Sequence, residues 1–272
     1  MEMIHTWKRI FSGTSGILLR GILFTMTVTF LFFCLSGCGE KEPVPEHPAS
    51  SKAQASTNNK SGTDPVPSIA PGKGKVLSIK NIQQNPELQS GCEVTSAAIV
   101  LNYLGFSIDK TDLLPFLSTS NDFRNVGGKT YGPNPWKTFV GSPTGDRYGC
   151  YAPVISNAIN NYLISVKANR FAYDITGTTP SDLYSLIGEG VPVIVWATIG
   201  MKEPSLGPGW FLDDNGEYYQ WINREHAVVL IGYTDSQVIL SDPDDSRGTV
   251  LYSRALFEQR YASLFSQAVV VQ

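Results

Sequence analysis

Three side chains in this sequence have the types needed for nucleophilic acyl transfer, in a workable order: Cys92 within "QSGCEVTSAAIVLNYLG", His226 near the start of "EHAVVLIGY", and Asp242 near the end of "QVILSDP". A thiol can attack a carbonyl carbon, an imidazole can take its proton and return it to the leaving amine, and a carboxylate can fix the imidazole tautomer. Cys92 falls where a helix is expected to begin. Ser90 is the expected N-cap, Glu93 closes a capping box, Val94, Ala97, Ala98, Leu101 and Leu104 recur at helical spacing, and Gly105 suits the stop. Unpaired N–H groups and the macrodipole at a first helical turn favour an anion. The thiol is therefore expected to ionise below the ordinary value of about 8.5, toward the range of roughly 3.5–7.5. A buried structural cysteine is the competing reading.

Counting narrows the choice. Of four cysteines, Cys34 and Cys38 lie in the N-terminal segment, leaving Cys92 and Cys150 for the domain. In an oxidising compartment those two could form a disulfide, which would make the chain a non-catalytic binding protein. Of three histidines, His5 and His47 precede the domain, so His226 is its only candidate base. A site needing two histidines is excluded, and no zinc-type cysteine spacing is present. "DPDDS" (242–246) lacks the spacing and distal Glu of a calcium loop and reads as a solvated turn. No metal and no cofactor are expected.

"EHAVVLIGY" and "QVILSDP" read as two strands of a hairpin. A two-residue loop, Asp235–Ser236, would pair Asp242 with Val229, on the face opposite His226. A three-residue loop, or an equivalent bulge, would pair Asp242 with Val228 and make it a diagonal neighbour of His226, about 7–8 Å away between backbones. A catalytic pairing therefore requires the longer loop or the bulge. In the same register Asp244 faces His226 directly and is the second candidate orienter.

The elements that must carry these groups occupy only part of the 272 residues. Residues 1–38 combine a basic flank (Lys8, Arg9, Arg20) with "GILFTMTVTFLFFCLSGC", a secretory signal whose "LSGC" resembles a bacterial lipobox with Cys38 as the acylated residue. An uncleaved membrane anchor is the alternative, and both readings place the remainder outside the cytoplasm. Residues 39–74 are rich in Pro, Ser, Lys and Glu and read as a disordered tether containing His47. Residues 75–272 are long enough for one domain with a real core. The net charge of −3, with both signs scattered, argues against a nucleic-acid partner.

"QNPELQSGCEVTSAAIVLNYLG", "GEGVPVIVWATI", "EHAVVLIGYTDSQVILSDP" and the closing "SQAVVVQ" resemble the bacteriocin-leader-peptidase-like family of cysteine peptidases in the papain-like superfamily, specifically its stand-alone extracellular branch. The resemblance implies an α+β papain-like fold, with a helical part bearing Cys92 packed on an antiparallel sheet bearing His226 and Asp242, and a cleft between them. It implies Cys92 as nucleophile, His226 as base and Asp242 as orienter. For the oxyanion donor it implies Gln84, which matches the family position better than Gln83; Gln89 stands where relatives more often carry Pro. Cys150 replaces a usually apolar residue, so the disulfide reading stays open. The Gly- and Pro-rich stretch 125–149, with Tyr131, Trp136, Phe139 and Tyr148, could wall a peptide groove or be a loop pinned by aromatic packing. Trp210 and Trp221 could form the other wall, and Trp196 is expected in the core. The expected function is a lipid-anchored, extracytoplasmic cysteine peptidase acting on a peptide or protein through a thioester acyl-enzyme. Another acyl transferase or a peptidoglycan amidase on the same site is the alternative.

Overall fold

The computed structural model describes residues 74–145 and 148–272. The expected signal segment with Cys38, the tether up to residue 73 and His47 lie outside the described residues. The chain runs from β1 (Lys75–Val76) to α1 (Cys92–Tyr103), then through a 3-10 turn (Lys110–Phe116) to the short strands β2 (Thr119–Ser120), β3 (Arg124–Val126), β4 (Lys129–Gly132) and β5 (Phe139–Val140). Next come α2 (Ala152–Ser165), β6 (Ala172–Asp174), α3 (Pro180–Gly188) and β7 (Val193–Thr198). The remainder is β8 (Ser205–Leu212), β9 (Tyr218–Asn223), β10 (Glu225–Tyr233), β11 (Gln237–Ser241), β12 (Thr249–Ser253), α4 (Arg254–Ser263) and β13 (Ala268–Val271).

The central sheet is antiparallel in the order β12-β11-β10-β7-β13-β6, with β1 added against the end of β10. Every residue of β7 is buried, as are Glu225 to Gly232 in β10. Helices cover both faces of the sheet. Ala227, Val229, Ile194 and Trp196 pack with α1 and α2, while Val228, Leu230, Val193 and Val195 pack with α3 and α4. Two-sided cover is why these strands read as unbroken apolar runs instead of alternating ones. Each fully buried Val or Leu contributes about 1.5–3 kcal/mol relative to exposure. Trp196 lies in the core as expected, and its indole N–H donates to the Cys150 carbonyl at 2.9 Å.

Helix α1 is buried on all sides from Cys92 to Leu101, so the apolar stripe is only part of its packed surface. It stops as expected. Gly105 adopts φ +93°, the Gly105 N–H reaches the Asn102 carbonyl and the Phe106 N–H reaches the Leu101 carbonyl.

A smaller sheet, β3-β4-β8-β9, stands beside the first. It absorbs part of the 125–149 stretch, which carries β4 and β5 instead of being a structureless loop. Phe139 is fully buried, Trp136 packs on Tyr151, Tyr219 and Phe265, and Tyr131 packs on Phe211.

Candidate active site

The start of α1 differs from the expected capping box. Gly91 is the N-cap and no side chain caps the helix, while the Ser90 N–H donates to the Pro143 carbonyl. Glu93 turns inward because the Cys150 N–H donates to its Oε1 at 2.8 Å, a partner that sequence spacing does not reveal. Gly149 leaves the room for this. A Cβ there would sit 2.4 Å from Glu93 Oε1 and 3.0 Å from Glu225 Oε2.

Cys92 is held by the strand that bears His226. The Ala227 N–H donates to Cys92 Sγ at 3.4 Å, and Ser96 Oγ, one turn further along α1, donates to the Ala227 carbonyl at 3.1 Å. Both bonds lock the first turn of α1 onto the residue that follows His226. The thiol itself donates to Glu93 Oε2 at 3.3 Å. Burial pushes the Cys92 thiol well above its ordinary value, with the carboxyls of Glu93 and Glu225 adding to the effect. The expected low thiol pKa is therefore corrected. A helix N-terminus favours an anion, but burial beside two acids outweighs it in the resting site. Cys92 and Cys150 are both buried free thiols, so the disulfide reading is not realised.

The β10–β11 hairpin reaches the required register through a bulge. Tyr233 pairs with Val238 and Gly232 with Ile239, the register of the shorter loop; past Ile231 the pairing shifts, so that Leu230 faces Leu240 and Val229 faces Ser241. One further step brings Asp242 alongside Val228, on the His226 face. His226 Nε2 and Asp242 Oδ1 are 2.7 Å apart. The same oxygen accepts the N–H groups of Asp244 and Asp245, at 2.9 and 3.3 Å. Burial opposes charge on Asp242, yet the hydrogen bond and charge of His226, with these two N–H groups, hold its carboxyl below the ordinary carboxylate range. Asp244 does not take the orienting place: its carboxylate accepts from Asn85 Nδ2 at 3.0 Å. With Nε2 on Asp242, Nδ1 is the ring nitrogen without a hydrogen bond among the described residues.

Gln84 is buried and shares the cleft with Cys92 and His226. Its Nε2 donates to the Gln89 carbonyl at 3.1 Å, while the Gln89 side chain is exposed. Lys110 and Asn81, which sequence reasoning passed over, and Gln83, weighed there only as an oxyanion donor, position this segment. Lys110 Nζ donates to the carbonyls of Gln83 and Gln84, at 2.6 and 2.8 Å, and pairs with Glu87. Asn81 Nδ2 and Gln83 Nε2 hold the backbone of the Asp242–Gly248 turn. The Gln84 N–H donates to the Pro243 carbonyl, which ties the Gln84 and Asp242 loops together. Spacing gives no sign of these contacts, because each links positions more than 20 residues apart.

Gln84, Cys92 and His226 line a cleft of about 420 Å³, together with Tyr148 and Trp221. Of the aromatic residues considered for its walls, only these two line it. Tyr148 is braced by Phe123, Trp210 and Trp221. Trp210 is buried behind them, with its indole N–H on the Pro133 carbonyl. The charged groups of "DPDDS" are engaged within the protein, Asp245 with Arg247 at 2.6 Å.

Glu225, beside His226, was also missed. It is buried, and its carboxyl lies with Cys92 and Glu93 in a cluster whose acidic atoms are all within 4.8 Å of one another. Burial raises the Glu93 carboxyl to about 7, and burial together with the charge of Glu93 raises Glu225 well above its ordinary value. An acid raised in the folded state binds its proton more tightly there than in the unfolded chain, so stability falls as pH rises between the two values. For Glu93 that window runs from 4.5 to about 7. The loss is on the order of 3 kcal/mol at about 1.36 kcal/mol per pH unit. Asp242 works in the opposite sense, losing its contribution as pH falls through its depressed value. Thermal melting is expected to give a higher midpoint near pH 5 than near pH 8, with a flatter profile for Glu93→Gln. A midpoint that rises from pH 5 to pH 8 would contradict this assignment.

Residues 76–269 match the model of the Peptidase_C39 like family. The chain is 32% identical over 204 residues to the uncharacterized protein YvpB of Bacillus subtilis (strain 168), covering 74% of this chain and 77% of that protein. A crystal structure from Bacillus anthracis, described as that of a C39-like peptidase, superposes with a TM-score of 0.65 at 32% identity, covering 74% of this chain and 98% of that one. The mixed α+β architecture, with helices on an antiparallel sheet, is the papain-like fold of those peptidases.

Proposed function

The chain belongs to the Peptidase_C39 like family, and we propose that it is a cysteine peptidase working through Cys92, His226 and Asp242, anchored outside the cytoplasm by a lipid on Cys38. The observation that carries this reading is a single cleft holding a thiol and an imidazole whose Nε2 is engaged by Asp242 at 2.7 Å. Because Asp242 holds Nε2, Nδ1 is the nitrogen that receives the thiol proton.

In the proposed reaction the Cys92 proton passes to His226 Nδ1 as sulfur attacks the scissile carbonyl carbon. The resulting oxyanion accepts hydrogen bonds from a Gln84 Nε2–H and from the Cys92 N–H, one of the unpaired donors at the start of α1. Gln84 has two such hydrogens, and the Gln89 carbonyl occupies one. The carbon–nitrogen bond then breaks as the imidazolium protonates the leaving amine, leaving a thioester. His226 next takes a proton from water, whose oxygen attacks the thioester. The carbon–sulfur bond breaks and the proton returns to Cys92.

The test exposes the full chain to unstructured peptides and to muropeptides in 18O-labelled water, with products identified by mass. One 18O at a newly formed peptide C-terminus supports peptide hydrolysis. Joining to an added amine without label identifies a transpeptidase, cleavage of muropeptides alone identifies an amidase, and neither reaction ends the reading. Anchoring is tested by Cys38→Ser, which is expected to lose the lipid mass and move the protein from the detergent to the aqueous phase on partition. Unchanged partition would remove lipid on Cys38 from the proposal.

A further inference from the structure

The mechanism above leaves the two buried acids beside its nucleophile without a task. We propose that Glu93 and Glu225 form a one-proton carboxyl pair, Glu93 ionised and Glu225 protonated, and that the Glu93 charge holds the Cys92 thiol protonated and in place until substrate enters. Both are positioning residues, and the inference rests on the reading of Cys92 as nucleophile.

The geometry assigns the proton. Both oxygens of Glu93 act as acceptors, Oε1 from the Cys150 N–H at 2.8 Å and Oε2 from the Cys92 thiol at 3.3 Å, which is the pattern of a carboxylate. Glu225 has only 8% of its surface exposed, and its Oε1 has no hydrogen-bond partner among the described residues. A charge there would be offset among the described residues by the Trp196 indole, which already donates to the Cys150 carbonyl, whereas a neutral carboxyl costs far less to bury. Two carboxylates this close in a dry site do not both ionise near neutral pH. Glu93 and Cys92 come from α1 and Glu225 and His226 from β10, while Cys150 and Tyr151 lie just before or at the start of α2 and Tyr219 lies on β9. Of these groups only His226 can carry positive charge toward the pair, and it is already engaged by Asp242. Arg224, next to Glu225, instead donates from Nη1 to the Glu203 carbonyl at 2.6 Å. Burial, which raises both acids, and the charge of Glu93, which raises Glu225 further, agree with a single shared proton.

A fixed anion beside sulfur opposes the thiolate but favours an imidazolium at His226. Proton transfer from sulfur is therefore disfavoured at rest and completed when a carbonyl carbon arrives to take the sulfur electron pair. This guards a secreted thiol against oxidation and adventitious alkylation, since both act on the thiolate.

The experiment is the pH profile of Cys92 alkylation by iodoacetamide in the full chain, located by peptide mapping so that Cys150 is scored separately, with circular dichroism to verify the fold. It reads sulfur ionisation whether or not a peptide is cleaved, so its failure is distinct from failure of the peptidase reading. Glu93→Gln is expected to shift the profile down by at least about one pH unit and raise the rate at pH 8, where Glu93 is charged, about tenfold, as one unit implies. Glu225→Gln mimics the neutral member and is expected to stay within about twofold of the unaltered chain below pH 8. A Glu93→Gln profile superimposing on the original, or a Glu225→Gln shift as large as that of Glu93→Gln, overturns the proposal. Should Glu93→Gln not fold, Glu225→Gln decides alone: an unshifted profile supports the assigned proton and a shifted one refutes it.

Discussion

Cys92→Ala is expected to lower peptide hydrolysis by at least about 10³-fold and to abolish thiol-directed labelling at this position, with the fold intact. The size follows from the chemistry: without sulfur no acyl-enzyme forms, and what remains is the residual effect of binding and oxyanion stabilisation. Stability is expected to change by no more than about 1–2 kcal/mol. The loss of one buried sulfur comes with the loss of its contacts to Glu93 Oε2 and to the Ala227 N–H. Initial rates with the best peptide from the substrate panel, together with a thermal melt, check both parts. Equal activity in the variant ends the nucleophile assignment. Loss of activity together with loss of the melting transition would instead call for Cys92→Ser, which retains the shape of the side chain.

His226→Ala is expected to have the second largest effect, a loss of roughly 10²–10⁴ in kcat/KM, the range supplied by a positioned acid–base group. It also strips Asp242 of the ring that holds its carboxyl charged, so the carboxyl pKa is expected to rise toward the ordinary range. Asp242→Asn provides an internal comparison. The asparagine Oδ1 can still accept from His226 Nε2–H and from the Asp244 N–H, so the ring stays oriented and only the charge is lost. Its cost is expected to be no larger than that of His226→Ala, at most about 10⁴-fold, because the charge that stabilises the imidazolium is lost while the orientation is kept. Asp242→Ala removes both and is expected to fall to the His226→Ala level. If Asp242→Asn and Asp242→Ala prove equally mild, Asp242 is not the orienter.

How far the sequence could be read differs from element to element. The helix at Cys92 and its stop at Gly105 follow from local patterning and left-handed glycine geometry, which depend on neighbours within a few residues. The hairpin was legible as a choice between two registers, and the bulge at Ile231 is the device that combines the shorter loop with the register of the longer one. Loop length alone did not decide it, because a bulge shifts pairing without altering the turn. The helix start was misread because Ser90 and Glu93 have capping-box spacing, and that spacing is equally compatible with an acid facing inward.

By itself, the amino-acid order determined that one thiol, one imidazole and an acid at the next strand's end fall on a helix start and a hairpin, since those features rest on short-range periodicity and turn chemistry. Only the tertiary structure decided what surrounds the sulfur. The Cys150 amide, the missing Cβ of Gly149 and the carboxyl of Glu225 reach it from segments between about 55 and 135 residues away. Their effect is electrostatic and depends on burial. Charge in a dry interior acts through distance and desolvation, and neither quantity exists until the chain has folded.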